Sequence, residues 1–230
     1  MGEAAHFRPE LFAFLRELRE HNDRMWFLAN KQRYESLIRE PFLRFIADFG
    51  PLLRTISRHF VADPRPTGGS LFRVYRDVRF SRDKSPYKTQ AAAHFPHGAT
   101  GKDVHVPSFY LQLEPDDCFA GIGLWHPAPS SVQRVREAIA AHPVRWKRCV
   151  SGKAFRARFS FGGDKLKRAP SGYDPEHPCI EDLKRKDFVV IAPFSEGEAC
   201  APDFIDTFTN TCQLAAPFVE FLARALGLPW

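Results

Sequence analysis

A chain of 230 residues with 44% hydrophobic and 26% charged side chains is neither a disordered segment, a collagen-like repeat nor a disulfide-framework miniprotein. It is long enough to bury a substantial core, and its 22 Phe and 4 Trp supply large apolar side chains for one. The net charge is +6, and it is concentrated: residues 73–88 carry +4, residues 153–168 carry +5, and the other 198 residues sum to −3.

Five cysteines (Cys118, Cys149, Cys179, Cys200 and Cys212) are an odd number without a C-x-x-C pair. That pattern argues against a zinc cluster and a complete disulfide set, and it predicts reduced thiols in a cytoplasmic protein. The first residues lack a secretory pattern, and Gly2 lacks the Ser or Thr of a myristoylation signal. The longest apolar run, Phe188 to Phe194, is too short to span a bilayer. No membrane partner is expected.

Residues 8–60 read as helical. Leu11, Leu15 and Leu18 share one helix face, with Pro9 suited to its first turn. Asn22 and Asp23 are N-cap candidates for a second helix with a stripe of Trp26, Phe27, Tyr34, Leu37 and Ile38. Pro41 opens a third segment, from Phe42 through Leu53 and Ile56 to Phe60, which Gly50-Pro51 is expected to break or kink. After a Pro- and Gly-rich loop, residues 70–126 read as sheet. Phe72, Val74, Val78 and Phe80 alternate with polar neighbours, as do Phe109, Leu111 and Leu113. Pro115-Asp116-Asp117 is a turn into a strand from Cys118 to Trp125, so the two strands pair antiparallel and a Rossmann-type sheet is excluded.

Residues 130–186 read as a helix followed by a basic loop. Ser130 and Gln133 have capping-box spacing, His142-Pro143 ends that helix, and Val144 to Val150 forms a short second one. Residues 187–227 hold a buried strand, Phe188 to Ile191, and a last helix from Phe204 to Leu226, expected to kink at Pro217. No internal repeat or long linker divides the chain. The predicted fold is a single α+β domain spanning residues 1–230, with a largely antiparallel sheet flanked by N- and C-terminal helices.

Two stretches carry more than composition: the run from Phe72 to Thr89, and Gly163 to Tyr173 followed by His177-Pro178. With Asn22 to Phe27 and Gly123 to Pro127, they resemble the domain-of-unknown-function family 2461 over nearly the whole chain, from Phe7 to Phe194. The resemblance implies one soluble domain and marks the basic motifs as family features. It carries over no catalytic role, and Met25 stands where the family commonly has an acidic residue.

Physically, Arg73, Arg76, Arg79, Arg82 and Lys84 repel one another unless carboxylates or a bound anion intervene, and Asp77 and Asp83 offset only part of that charge. Arginine forks match phosphate oxygens bidentately. The expected site is therefore an anion pocket for a phosphorylated small molecule or nucleotide, built from Arg73, Arg76, Arg79, Lys84, Tyr87 and Lys88. Lys165, Lys167 and Arg168 would form a second wall if the two segments meet. Structural ion pairing is the competing reading of the same charges. Two further alternatives stay open: a nucleic-acid or protein-interaction module without turnover, and an enzyme of unknown reaction.

Tyr75, Tyr87 and Trp125 could stack bases, but no zinc-finger spacing, RNP-like run or GXXG loop accompanies them. His94, His97 and His105 do not make a metal site, because Pro96 prevents a helix and a strand puts His94 and His97 on opposite faces. Without a Walker loop, dinucleotide fingerprint or nucleophile elbow, neither a cofactor nor a metal is expected.

Overall fold

Two-residue periodicity in the middle of the chain produces one antiparallel sheet, as the computed structural model of residues 5–100 and 105–230 shows. Its strands are β1 (Ala91–Pro96), β2 (Ser108–Leu113), β3 (Cys118–Leu124), β4 (Ser160–Phe161) and β5 (Phe188–Phe194), in the spatial order β1-β2-β3-β5-β4. The register sets two kinds of row. Ala93, Leu111, Ala120 and Ala192 lie side by side, as do Phe95, Phe109, Ile122 and Val190, and all are buried against the helices. The alternate row holds His94, Tyr110, Gly121 and Ile191 on the opposite face.

The helical layer begins with α1 (Pro9–Glu20), α2 (Arg24–Ala29), α3 (Lys31–Tyr34), a π turn over Glu35–Arg39, and α4 (Glu40–Ile56). Asp23 caps α2 by accepting from the Trp26 N–H at 2.9 Å, as its residue type suggests. The helix α4 runs through Gly50-Pro51 without ending. Phe42, Phe45, Ile46, Phe49 and Leu53 are buried on either side of that point, so packing outweighs the one hydrogen bond that Pro51 lacks. Phe60 lies beyond the helix and instead forms a bridge with His97.

After β3 come α5 (Pro129–Ala141), α6 (Pro143–Val150) and α7 (Lys153–Arg158), then α8 (Ile180–Leu183) ahead of β5. The capping-box expectation is corrected here. Ala128 occupies the N-cap of α5, and Pro129, with its fixed φ, opens the helix ahead of Ser130. The segment expected to be mostly loop also contains α7, β4 and α8. The strand β5 extends past Ile191 to Phe194. It tolerates Pro193 because β4 pairs only with Val190 and Ile191, leaving that end of β5 at an edge. Past a short α9 (Glu196–Ala199), α10 (Phe204–Ala225) continues through Pro217 and lays Phe204, Phe208 and Phe218 on the core.

The alternation seen from Phe72 to Phe80 is not a regular strand. Isolated bridges join Leu71 to Ala93 and Tyr75 to Tyr87, whereas Val78 and Phe80 lie in the loop between, with Phe80 97% exposed. Residues 77–84 have no strand to pair with, so their period carries no fold information. Residues 70–72 do bond the outer edge of β1, through Phe72 N–H to Ala92 O (2.9 Å) and His94 N–H to Ser70 O (2.9 Å). That edge is thereby covered.

Asn22 locks this excursion to the helical layer. Its amide donates to Tyr87 O and accepts from Tyr87 N–H, both at 3.0 Å. Tyr87 is buried, its ring stacked on Phe27 with centroids 4.1 Å apart. Replacing Asn22 with Ala leaves both backbone groups of Tyr87 without this partner and is expected to lower stability by about 1–3 kcal/mol. Urea unfolding measures this, and an unchanged midpoint would show that the clamp adds no stability.

Candidate ligand-binding cleft

The sheet face turned away from α10 floors a cleft of about 480 Å3. Its floor is low where Gly121 stands, since a Cβ there would only just touch Tyr110, Phe119 and Ile191, at 3.4–3.8 Å. Phe72, Tyr110, Phe119 and Trp125 form aromatic walls, and Trp125 is half exposed at the rim. The rings are mutually braced, with Phe72 5.9 Å from His94, Phe72 6.2 Å from Tyr110, and Tyr110 5.8 Å from Phe119.

A row of polar groups crosses one end. The Tyr110 hydroxyl donates to Gln112 Oε1 at 2.9 Å, and Gln90 Nε2 donates to the same oxygen at 3.2 Å. Gln112 Nε2 in turn donates to Asp117 Oδ2 at 3.1 Å, fixing the amide's orientation. Burial pushes the Tyr110 hydroxyl up to about 12, so it stays protonated as a donor.

Lys88 supplies the cleft's positive charge. Its Nζ lies 5.0 Å from the Phe72 ring centroid, and among the described residues it makes no ion pair. Burial, with a contribution from the nearby charge of Arg73, lowers its pKa from the ordinary lysine value. Arg73 likewise makes no ion pair among the described residues.

Two of the other four cations of the first basic window are paired within it. Arg76 pairs with Asp83, and Arg79 pairs with Asp77 at 2.7 Å. Lys84 donates to Val78 O at 3.0 Å, which closes the loop. The Asp77 and Asp83 carboxyls are held below the usual range, Asp77 first by Arg79 and Asp83 first by Ser85 and then by Arg76. Tyr87 is a packing residue under Phe27.

The second window lies elsewhere. Residues 162–166 follow the outer side of β5 and the segment before it, through Gly162 N–H to Val189 O and Leu166 N–H to Lys184 O. Lys165 bridges to Arg185 and stands 3.8 Å from Glu181, while Lys167 and Arg168 are exposed. Residues 71–88 flank β1 and residues 160–166 flank β5, at opposite edges of the sheet. Lys165, Lys167 and Arg168 therefore do not share a hollow with Arg73 and Lys88. The second motif holds a structural anchor. Buried Asp187 accepts from the N–H groups of His126 (2.7 Å) and Asp164 (3.0 Å). Gly163, at φ +77, must be glycine because a Cβ would come within 2.3 Å of Asp187.

His94 and Tyr110 were not among the expected binding residues. The signal available for them was outward-facing positions on strands whose neighbours, Gly121 and Gly123, are small. His97 points away from His94, is buried, and bonds Pro229 O at 2.9 Å. Among the described residues no three His, Cys, Asp or Glu side chains are grouped to hold a metal ion, and no helix is long and apolar enough to cross a membrane. All five cysteines are free. The leader and myristoylation readings draw in part on residues 1–4, which lie outside the described residues.

Burial depresses His94 from 6.5 to about 4. The unfolded chain therefore takes up a proton below pH 6.5 that folded His94 refuses, so stability is lost as pH falls from about 6.5 toward 4. The loss reaches about 3 kcal/mol for this group. Urea unfolding at pH 7 and pH 4.5 should show it in the natural chain and show it reduced in His94→Gln. Equal pH dependence in both would contradict it.

The family assignment agrees with the placement of these motifs, since residues 10–221 match the family model described as "Conserved hypothetical protein (DUF2461)". No curated protein matches the chain. The matched span contains the whole sheet, the Phe72–Thr89 excursion and the Asp187 anchor, and the chain belongs to the DUF2461 family.

Proposed function

We propose that the sheet-face cleft binds a phosphorylated small molecule or nucleotide, with a planar body between the aromatic walls and its anionic group at Lys88. The observation that carries this reading is the half-buried Lys88 ammonium, without an ion pair among the described residues, at an aromatic-walled cleft. An isolated buried cation is costly unless an anion offsets it. The cleft volume of about 480 Å3 suits a small-molecule body, and its few convergent polar groups suit an oriented one. A cytoplasmic setting is part of the proposal, since five free thiols fit a reducing compartment.

A second reading, a nucleic-acid interaction module without turnover, is favoured by Phe80. It projects from a loop that also presents Arg82 and Lys84, with Arg79 5.9 Å from its ring. Exposed aromatics beside cations stack bases irrespective of sequence.

Titration with AMP, adenosine and inorganic phosphate, followed by calorimetry and by Trp125 fluorescence, tests the first reading. AMP should bind more tightly than either fragment, and Lys88→Met should weaken it at least tenfold, the factor that about 1.4 kcal/mol represents. Gly121→Val, which fills the floor without entering the core, should also block AMP while unfolding normally. Absence of AMP binding, or binding indifferent to both substitutions, would overturn the reading. Phe80→Ala separates the second reading, because it should leave AMP untouched and weaken a single-stranded oligonucleotide.

A further inference from the structure

We infer that the groove on the other side of Phe72 is a second anion subsite, making the ligand two phosphodiester-linked nucleotides rather than one. This rests on the cleft reading above and extends it. The groove, of about 790 Å3, lies between residues 61–75 and the α3–π-turn segment. It shares Phe72 and His94 with the sheet-face cleft, so the two cavities adjoin across one ring pair.

Its charges sort themselves. Arg39 pairs with Glu35 at 2.8 Å and also donates to Pro66 O, and Arg65 pairs with Asp63 at 2.5 Å. Lys31 and Arg73 make no ion pair among the described residues. Two cations without an ion pair among the described residues therefore line one groove, and Lys88 adds a third at the neighbouring cleft. Lys88 lies beside Arg73, since its N–H bonds Val74 O at 2.8 Å and its Nζ stands 5.0 Å from the Phe72 ring, and the charge of Arg73 disfavours the ammonium. An anion between them relieves that repulsion, and a second beyond Arg73 is offered Lys31.

The groove also has a stacking face. Tyr75 is half exposed there and is held by Tyr87 (centroids 5.4 Å apart) and Phe27 (6.4 Å). Both cavities fall within the volume range of small-ligand sites, and aromatic faces in each accept a base. Phosphate, base, phosphate and base is the ligand chemistry that this alternation of cation and ring matches.

Calorimetric titration of the whole chain with AMP, the 5′-phosphorylated adenine dinucleotide and an adenine octanucleotide tests it. The dinucleotide should bind at least tenfold more tightly than AMP. Lys31→Ala and Arg73→Ala should each reduce that gain, and together abolish it. Equal affinity of AMP and dinucleotide, or a gain unaffected by both substitutions, would overturn the second subsite. Failure of the cleft itself is distinguishable, because AMP then would not bind at all. An octanucleotide tighter than the dinucleotide, in the natural chain and in Phe80→Ala alike, identifies a nucleic-acid strand as the source of this chemistry. Equal affinity identifies a free dinucleotide, and either result supports the subsite.

Discussion

The constraint on which the molecule turns is the strict alternation of a five-stranded sheet with one face packed against aromatic helices. Phe95 meets Phe49 and Phe208, and Phe194 meets Phe204, at centroid separations of 4.8–6.2 Å. Such pairs add about 0.5–1.5 kcal/mol each beyond area burial, and a one-residue slip would lose all of them together. With that face committed, His94, Tyr110, Gly121 and Ile191 are compelled onto the other. The cleft is thus a consequence of register, shaped by small residues where the floor is low and by rings where it rises.

The second determinant is how the edges are closed. Residues 70–72 cover β1 and lead into an excursion that returns at Tyr87, where Asn22 supplies both a donor and an acceptor to the backbone. This side-chain imitation of a strand partner fixes where Lys88 and Arg73 emerge. At the opposite edge Asp187 does comparable work, gathering the N–H groups of His126 and Asp164. The two basic motifs of the family are therefore anchored by different means and serve different ends: one frames a cavity, the other secures the β4–β5 edge.

Charge density proved a poor guide to which cations are available. Eight charged groups crowd the sixteen residues from Arg73 to Lys88, yet Arg76 and Arg79 find Asp83 and Asp77 inside the same loop. Local pairing of this kind contributes little to stability at an exposed site, but it removes those guanidinium groups from the pool open to a ligand. Lys88 differs because desolvation and the charge of Arg73 both act on it, while among the described residues it has no ion pair.

Local pattern alone determined the α+β class, the antiparallel β2–β3 hairpin, the Asp23 cap and the apolar stripes of α1 and α10, because these depend on neighbours within a few residues. It allowed a helix break at Pro51 that does not occur, and it misjudged Phe60 and the run from Val78 to Phe80. In each case the outcome depends on whether a distant segment is present to pack or pair. The same reason hid the cleft. His94, Tyr110 and Gly121 lie 27 residues apart from first to last, and only strand pairing sets them side by side. Whether Arg73 and Lys165 meet was likewise a matter of strand order, a tertiary property: pairing energies between remote segments, not periodicity within them, put those residues on opposite edges.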